Sequence, residues 1–294
     1  GVSTMTQTLD RAALDATMAE LAAVMGAGDR LEDGAAELVK VGVDLGTAYT
    51  VVVALDEHDR PLAGAAEFAD VVRDGVVTDF IGAVDLVRRL KARVEERLGC
   101  TLTAAHGAYP PGVPRSDVRA VQHVIESADL ECTGLVDEPS AANEVLRLRD
   151  GVVVDVGGGT TGVAVVRGGE VVHTADEPTG GTHLTLVIAG ALGIPVEEAE
   201  RLKTDPAQQQ RLLALVRPVM EKVASIVVTS TAGWPVPMVY LVGGSVAFPG
   251  FAEAVSEASG LPAVVPVHPL YVTPLGIARA AAPRPRGTTA AYRI

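Results

Sequence analysis

The sequence has 294 residues, of which 48% are hydrophobic, 21% are charged and only 3% are aromatic. This length favours two lobes, whose cores would consist mainly of Val, Leu, Ile and Ala. The formal net charge of −13 argues against non-specific binding to nucleic acid or to an anionic membrane. It does not argue against a phosphate ligand, because backbone dipoles can hold an anion within an acidic protein.

The remaining composition predicts a cytoplasmic protein. Cys100 and Cys132 have no CxxC spacing, so we interpret them as reduced thiols. The histidines show no metal-ligand spacing. No apolar run approaches the length of a membrane span, and the N-terminus does not have the pattern of a secretory signal.

Residues 8–25 predict an amphipathic helix. Leu14, Met18, Leu21 and Met25 follow one another at steps of four, three and four residues, which places them on one helix face. A polar, glycine-containing stretch follows and is typical of a linker. Two interpretations remain open: the helix docks on its own domain, or it docks on a partner.

Two segments share one unusual pattern. Residues 41–55 read VGVDLGTAYTVVVAL and residues 152–166 read VVVDVGGGTTGVAVV. Each has an apolar strand, an aspartate, a glycine- and threonine-containing turn and a second apolar strand. Asp44 and Asp155 hold matching positions about one domain apart, which indicates a duplicated lobe rather than a short repeat.

The residues after the glycines indicate what the turns do. In a P-loop or a Rossmann turn the glycines begin a helix, whereas here they lead into alternating strands, and the chain has no GK[ST] sequence. Each segment therefore predicts a β-hairpin whose turn amides form an anion-binding nest. A carboxylate beside each turn suits Mg²⁺. Two such hairpins across a cleft would hold a polyphosphate.

Two further segments extend this pattern. Residues 136–146, VDEPSAANEVL, predict a strand followed by a helix that begins near Glu138 and Pro139. Glu138 could position a water at the phosphate end. Residues 238–251, MVYLVGGSVAFPGF, predict a strand, close-approach glycines and a helix from about Phe248, which together suit a nucleoside.

In this order, and with TPLGIARAA near the C-terminus, these segments resemble the signature segments of the actin/DnaK-chaperone/sugar-kinase ATPases. GGTHLTLVIAGALGIPVEEAERLK resembles a segment of the bacterial cell-division and cell-shape actin homologues. The resemblance covers roughly residues 41–283. It is strongest to the DnaK-like ethanolamine-utilisation proteins of bacterial microcompartment gene clusters.

The resemblance implies an α/β, actin-like ATPase fold with two duplicated ribonuclease-H-like lobes around a nucleotide cleft and an N-terminal helical extension. It implies an N-terminal helix and linker over 1–40, lobe I over 41–150 and lobe II over 151–273. A small outer subdomain of lobe I would span about 56–100, and a C-terminal helix at about 274–290 would complete lobe I. We expect no peptide-holding cycle, because the sequence shows no DnaK-type peptide-binding domain.

The resemblance also implies roles for individual residues, with ATP or ADP and Mg²⁺ as ligands. Asp44 and Asp155 would hold Mg²⁺, mostly through water, and with Glu138 they would form the catalytic group. Arg73 is a further candidate for the phosphate end. The implied nucleotide-binding residues are Gly46, Thr47, Ala48, Gly157, Gly158, Gly159, Thr160, Thr161, Glu221, Lys222, Gly243, Gly244 and Ser245. Many relatives place an acid after the two threonines of the second turn, where this chain has Gly162, so we expect a missing carboxylate and slow hydrolysis.

Three functional classes follow from the resemblance. The first is a nucleotide-gated, chaperone-like ATPase that serves enzymes or shell proteins of a microcompartment, either inside it or attached to it. The second is a polymerising actin-like scaffold, so homo-oligomers are left open. The third is a small-molecule kinase, which the short outer subdomain disfavours. None of the three requires nucleic acid or a membrane as a partner.

Overall fold

The computed structural model describes residues 10–31 and 36–287. Within them the strands are β1 Leu38–Leu45, β2 Tyr49–Asp56, β3 Pro61–Phe68, β4 Val72–Arg73, β5 Val76–Val77, β6 Ala104–Tyr109, β7 Glu131–Asp137, β8 Gly151–Val156, β9 Thr161–Arg167, β10 Glu170–Glu177, β11 Val239–Val242, β12 Ala263–Val264 and β13 Arg284–Pro285. The helices are α1 Arg11–Val24, α2 Phe80–Leu98, α3 Arg115–Ser127, α4 Glu138–Leu146, α5 Gly181–Leu192, α6 Val196–Thr204, α7 Pro206–Ser230, α8 Phe251–Ser259 and α9 Val272–Ala280, with 3₁₀ turns at Gly244–Ala247 and Pro269–Tyr271. Among these residues no helix has the length and apolar character that a bilayer span requires.

The two main sheets have the same plan. The first has the order β3-β2-β1-β6-β7, with β13 also paired to β1, and the second has the order β10-β9-β8-β11-β12. In each sheet three antiparallel strands from consecutive hairpins are continued by two parallel strands. The repeat expected at Asp44 and Asp155 is therefore a repeat of topology, with β1 corresponding to β8. The residue boundaries assigned to the lobes stay a prediction.

Three apolar layers hold the sheets in place. Helices α2 and α3 cover one face of the first sheet, where Leu90 and Ile125 are fully buried. Helices α5 to α8 cover the outer face of the second sheet, around Met220 and Phe251. The third layer lies between the sheets and contains α1, α4 and α9. The burial of two apolar sheet faces against this shared layer fixes the position of one sheet relative to the other.

Helices α4 and α9 cross at very short range because small residues meet there. A Cβ atom on Gly276 would collide with the carbonyl oxygen of Ala141. Helix α9 also packs closely on strand β1, where a Cβ atom on Gly42 would lie 2.5 Å from the amide nitrogen of Ala278. Helix α9 ends at Ala280, earlier than the expected 290, because Pro283 cannot continue a helix. Residues 288–290 of the expected helix lie outside the described residues.

The predicted N-terminal helix is confirmed as α1, which begins after Asp10, whose side chain accepts a hydrogen bond from the Ala13 amide. Its apolar stripe faces its own chain: Leu14, Met18 and Leu21 are buried in the layer between the sheets. This arrangement matches the interpretation in which the helix docks on its own domain. Residues 8, 9 and 32–35 lie outside the described residues.

Candidate functional site

The two predicted hairpins are present, and their turns face each other across a cleft between the sheets. The first turn, 46–48, joins β1 to β2, and the second, 157–160, joins β8 to β9. A Cβ atom on Gly158 would lie only 2.6 Å from the Cβ of Ala48, and one on Gly159 would lie 2.9 Å from the Thr47 hydroxyl oxygen. Glycine is required at both positions because side chains there would push the turns apart.

Helix α5 orients the second turn. Its first amides, at Gly181 and Thr182, donate to the carbonyls of Gly157 and Gly158 at 2.8 Å each. In a trans peptide the N–H points opposite to the C=O, so the amides of Gly158 and Gly159 point away from α5. Both glycines line the cleft. The turn thus offers hydrogen-bond donors, which suit an anion.

Three carboxylates lie at the floor of the cleft. Asp44 is near the end of β1, Asp155 near the end of β8, and Glu138 is the first residue of α4. Asp155 is 8% exposed, and its Oδ2 accepts a hydrogen bond of 2.7 Å from the Thr273 hydroxyl.

The three carboxyl groups repel one another in a poorly hydrated place. Burial and the charge of Asp155 raise the pKa of Asp44 to about 7. Burial, followed by the charges of Asp155 and Asp44, raises the pKa of Glu138 well above its usual range. Burial also raises the pKa of Asp155, although the Thr273 hydrogen bond opposes this shift. A cation in the cleft would relieve this repulsion.

The donor set therefore fits a hard divalent ion that keeps much of its water. No group of three or more His, Cys, Asp or Glu side chains in the described ranges is arranged to grip a metal directly. Mg²⁺ is commonly held by one or two carboxylates together with waters and phosphate oxygens. Asp44 and Asp155 fit that pattern. They do not suit a metal whose ligands must all come from protein side chains.

A third glycine segment forms another wall of the cleft. Strand β11 ends at Val242, and the next residue, Gly243, has φ +94° and packs so closely that a Cβ would lie 2.6 Å from Asp155 Oδ1. The hydroxyl of Ser245 donates to the Gly157 carbonyl at 2.9 Å, which ties this wall to the second turn. The helix expected from Phe248 begins at Phe251, because a 3₁₀ turn and Pro249–Gly250 come first.

The cleft lining includes most of the residues expected there. These are Asp44, Gly46, Thr47, Ala48, Glu138, Asp155, Gly157, Gly158, Gly159, Thr160, Gly243, Gly244 and Ser245. Thr161 is not among them, because its hydroxyl is buried and donates to the Thr179 carbonyl at 2.6 Å.

Three other expected residues lie elsewhere. Glu221 and Lys222 are on the exposed side of α7, where Glu221 pairs with Arg217 at 3.0 Å. Arg73 is exposed and pairs with Asp70 at 2.7 Å. The structure therefore does not bring these three side chains to the cleft.

A second glutamate and a lysine also line the cleft, Glu200 and Lys203 of α6, which the sequence interpretation missed. They form an ion pair of 2.7 Å, and Glu200 also accepts from the Thr185 hydroxyl at 2.7 Å. The other oxygen of Glu200 is buried and has no hydrogen-bond partner in the part of the chain that the structure describes. Their spacing of three residues in EEAERLK was the available signal, since it places both on one helix face.

The expectation of a missing carboxylate beside Gly162 is wrong. Gly162 on β9 pairs with Asp176 on β10, and a Cβ built on Gly162 would lie 3.6 Å from Asp176 Oδ1. The neighbouring strand therefore brings a carboxylate to this position. No local pattern in the sequence indicates this pairing, because the two residues are 14 positions apart.

Comparison with known proteins places the chain in a family. The ethanolamine utilization protein EutJ of Salmonella typhimurium is 43% identical over 251 residues, which cover 84% of this chain and 87% of that protein. EutJ of Escherichia coli (strain K12) is 42% identical over 81% of this chain and 84% of its own length. The chain belongs to the EutJ family. The crystal structure of EutJ from Carboxydothermus hydrogenoformans shares 46% identity and a TM-score of 0.85, covering 92% of this chain and 98% of that chain.

More distant matches confirm the actin-like ATPase fold. The profile of the MreB/Mbl proteins matches residues 64–205, and that of the cell division protein FtsA matches residues 152–283. AMPPNP-bound MreB 5 of Spiroplasma citri superposes with a TM-score of 0.66 at 16% identity, covering 81% of this chain and 94% of that one. Because the sequence identity is only 16%, this last match shows that the two proteins share a fold and no more.

Proposed function

We propose that this chain is a nucleotide-dependent switch that binds Mg-ATP in the cleft, hydrolyses it slowly and acts on enzymes or shell proteins of an ethanolamine-utilisation microcompartment. One observation carries the nucleotide assignment. Two glycine-rich turns, one from each sheet, converge on a single cleft whose floor holds Asp44 and Asp155. A duplicated clamp of donors and carboxylates suits a polyphosphate with a divalent ion.

Each group of lining residues has a distinct task in this proposal. The amides of the two turns bind the phosphates. Asp44 and Asp155 hold Mg²⁺ through water, and the ion supplies charge neutralisation at the phosphates. Gly243, Gly244 and Ser245 form a flat wall for the nucleoside, and Glu200 with Lys203 lies beside it as a polar pair. Glu138 orients a water at the floor of the cleft.

Support for ATP also comes from proteins of the same fold. MreB 5 of Spiroplasma citri has been solved bound to AMPPNP and to ADP, and both structures superpose on this chain. Support for the cellular role comes from the EutJ relatives, which are named for ethanolamine utilization. A switch with two nucleotide states is the simplest role for such a site, because this role requires no additional substrate pocket.

The cleft predicts slow hydrolysis. Its described lining contains one cationic side chain, Lys203, which is already paired with Glu200 at 2.7 Å. Charge that develops on the transferred phosphoryl group therefore receives little help from protein cations, and such help is commonly a large part of catalysis. We predict a basal turnover on the order of one per minute, roughly 10² to 10³ slower than typical enzymes.

Phosphate release from purified protein with saturating Mg-ATP measures this rate. Turnover of many per second without a partner would contradict the switch and favour a metabolic kinase or phosphatase. Sedimentation of the same samples tests whether the protein is a polymerising scaffold, because a scaffold would pellet in the presence of ATP. The proposal that the protein acts on microcompartment enzymes or shell proteins is tested by co-purification. The proteins that co-purify with the ATP-locked form are compared with those that co-purify with the ADP-bound form.

A further inference from the structure

The two ends of helix α1 are attached to different sheets. Just after its C-terminal end, Met25 forms a β-bridge with Gly64 on β3, and the Gly26 amide donates to the Gly64 carbonyl at 2.8 Å. Further along the chain, the Leu31 amide donates to the carbonyl of Arg97 on α2, also at 2.8 Å. This end of α1 is therefore fixed to the first sheet and to a helix that covers it.

The N-terminal half of α1 is attached to the second sheet through residues 265–271, which directly follow β12. We call these residues the wall segment. The Val267 amide donates to Asp15 Oδ1 at 3.2 Å. Arg11 Nη2 donates to the Val265 carbonyl at 3.4 Å. Helix α1 also contacts the 3₁₀ turn at the end of the wall segment, so this one helix connects the first sheet to the second.

The wall segment supports the part of the cleft that we assign to the nucleoside. The Pro269 carbonyl accepts a hydrogen bond of 3.0 Å from the Gly243 amide. Leu270 lines the cleft, and a Cβ atom on Gly244 would lie only 3.1 Å from Leu270 Cδ1. A displacement of the wall segment would therefore move one wall of the cleft, and it would break the contacts with α1.

The cleft is too narrow to admit a nucleotide without such a displacement. Its volume is about 110 Å³, whereas pockets that hold ligands of drug size commonly measure about 300–1,000 Å³. The walls must therefore move apart when a nucleotide enters and again when it leaves. The two hydrogen bonds between α1 and the wall segment are exposed, and exposed contacts open at a lower cost than buried ones.

We propose that α1 is a strap that holds the wall segment in place and thereby sets the rate of nucleotide exchange. Asp15 is the positioning residue at the wall end of the strap, and it acts on the cleft through Val267 without touching the nucleotide. This inference rests on the proposed nucleotide binding. A switch requires such control, because the lifetime of each of its states depends on how fast the nucleotide leaves.

The test measures the release of ADP that carries a fluorescent N-methylanthraniloyl group, after excess unlabelled ATP is added to the Mg²⁺-loaded complex. Asp15→Ala removes the acceptor of the Val267 amide. We expect release to be about fivefold faster, the factor that corresponds to one ordinary hydrogen bond. Asp15→Asn keeps a side-chain oxygen that can accept, so its release rate should stay within about twofold of wild type. Glu20→Ala, at an exposed position of α1, should match wild type.

The association rate distinguishes a strap from a wall contact that is simply lost. The strap is in place before the nucleotide enters as well as after, so its loss should speed association and release alike. Affinity should then stay within about twofold of wild type. Arg11→Ala combined with Asp15→Ala removes both hydrogen bonds to the wall segment and should speed both steps by at least about tenfold.

Each outcome decides one question. Wild-type exchange in the double variant would overturn the strap, and so would a Glu20→Ala protein that exchanges as fast as Asp15→Ala. Faster release without faster association would also overturn it, because the substitution would then have weakened binding instead of opening the cleft. In each of these cases the nucleotide assignment stands. Wild-type protein that binds neither ADP nor ATP would overturn the proposed function itself.

Discussion

At the scale of single residues, the cleft holds carboxyl groups in a place that disfavours their charged form. Asp44 illustrates the consequence, because its pKa rises from 3.8 to about 7. A carboxyl group whose pKa is raised by folding adds stability that is fully present below 3.8. That stability is lost as the pH rises through about 7. The ligand-free protein should therefore lose stability between pH 4 and pH 8.

Asp44→Asn should remove part of this loss. We expect the ligand-free variant to melt about 2 °C or more above wild type at pH 8, with a smaller difference near pH 4. Mg-dependent ATP binding should be lost in the same variant. Thermal melting across this pH range gives the answer, with the exposed Asp150→Asn as control. A lower melting temperature for Asp44→Asn at pH 8 would contradict this account, because it would show that the folded protein does not disfavour the charged form of Asp44.

The position of a residue in the cleft was predictable from the sequence where a motif is local. Asp44, Asp155 and Glu138 each lie in a contiguous strand–turn or strand–helix pattern, and all three line the cleft. Asp176 and Glu200 were missed because strand pairing and helix docking bring them to the site from separate segments. Glu221 was chosen by a loose match to the family pattern, and its side chain pairs with Arg217 on the surface instead of lining the cleft.

At the scale of elements, the periodicity of the N-terminal segment predicted a helix but not its docking surface. The sequence left its own domain and a partner open, because an apolar stripe does not identify what covers it. In the structure the stripe meets the apolar face of the first sheet, where Val51, Val53 and Leu55 are buried. The two hairpins were predicted correctly, since glycine and the following alternating residues determine a hairpin locally.

The docking of α1 predicts a large effect of a single truncation. Leu21 is 0% exposed, so Leu21→Ala should cost about 2–5 kcal/mol and lower the melting temperature by roughly 5 °C or more. Glu20→Ala, at an exposed position one residue earlier, should change it by about 1 °C or less. If the two variants melt together, α1 is not part of the core, and the interpretation as a partner-docking helix is restored.

At the scale of the whole molecule, the duplication explains why a local motif was informative about global shape. Two copies of one hairpin motif predicted two lobes, and the sheets share one strand order. The helix layer between the sheets was less predictable, because close crossings such as Gly276 against Ala141 depend on three-dimensional packing. That layer brings the two turns face to face, and the clamp exists only in the assembled molecule.

The central claim is that the two lobes clamp a nucleotide through Mg²⁺, and titration calorimetry tests it most directly. ATP should bind wild-type protein at least about 10²-fold more tightly with Mg²⁺ than with a chelator, because the ion links two carboxylates to the phosphates. Asp155→Asn keeps the shape and an acceptor for Thr273 but should lose this Mg²⁺ dependence, whereas Asp150→Asn should retain it. An Asp155→Asn protein with wild-type, Mg²⁺-dependent ATP affinity would contradict the account.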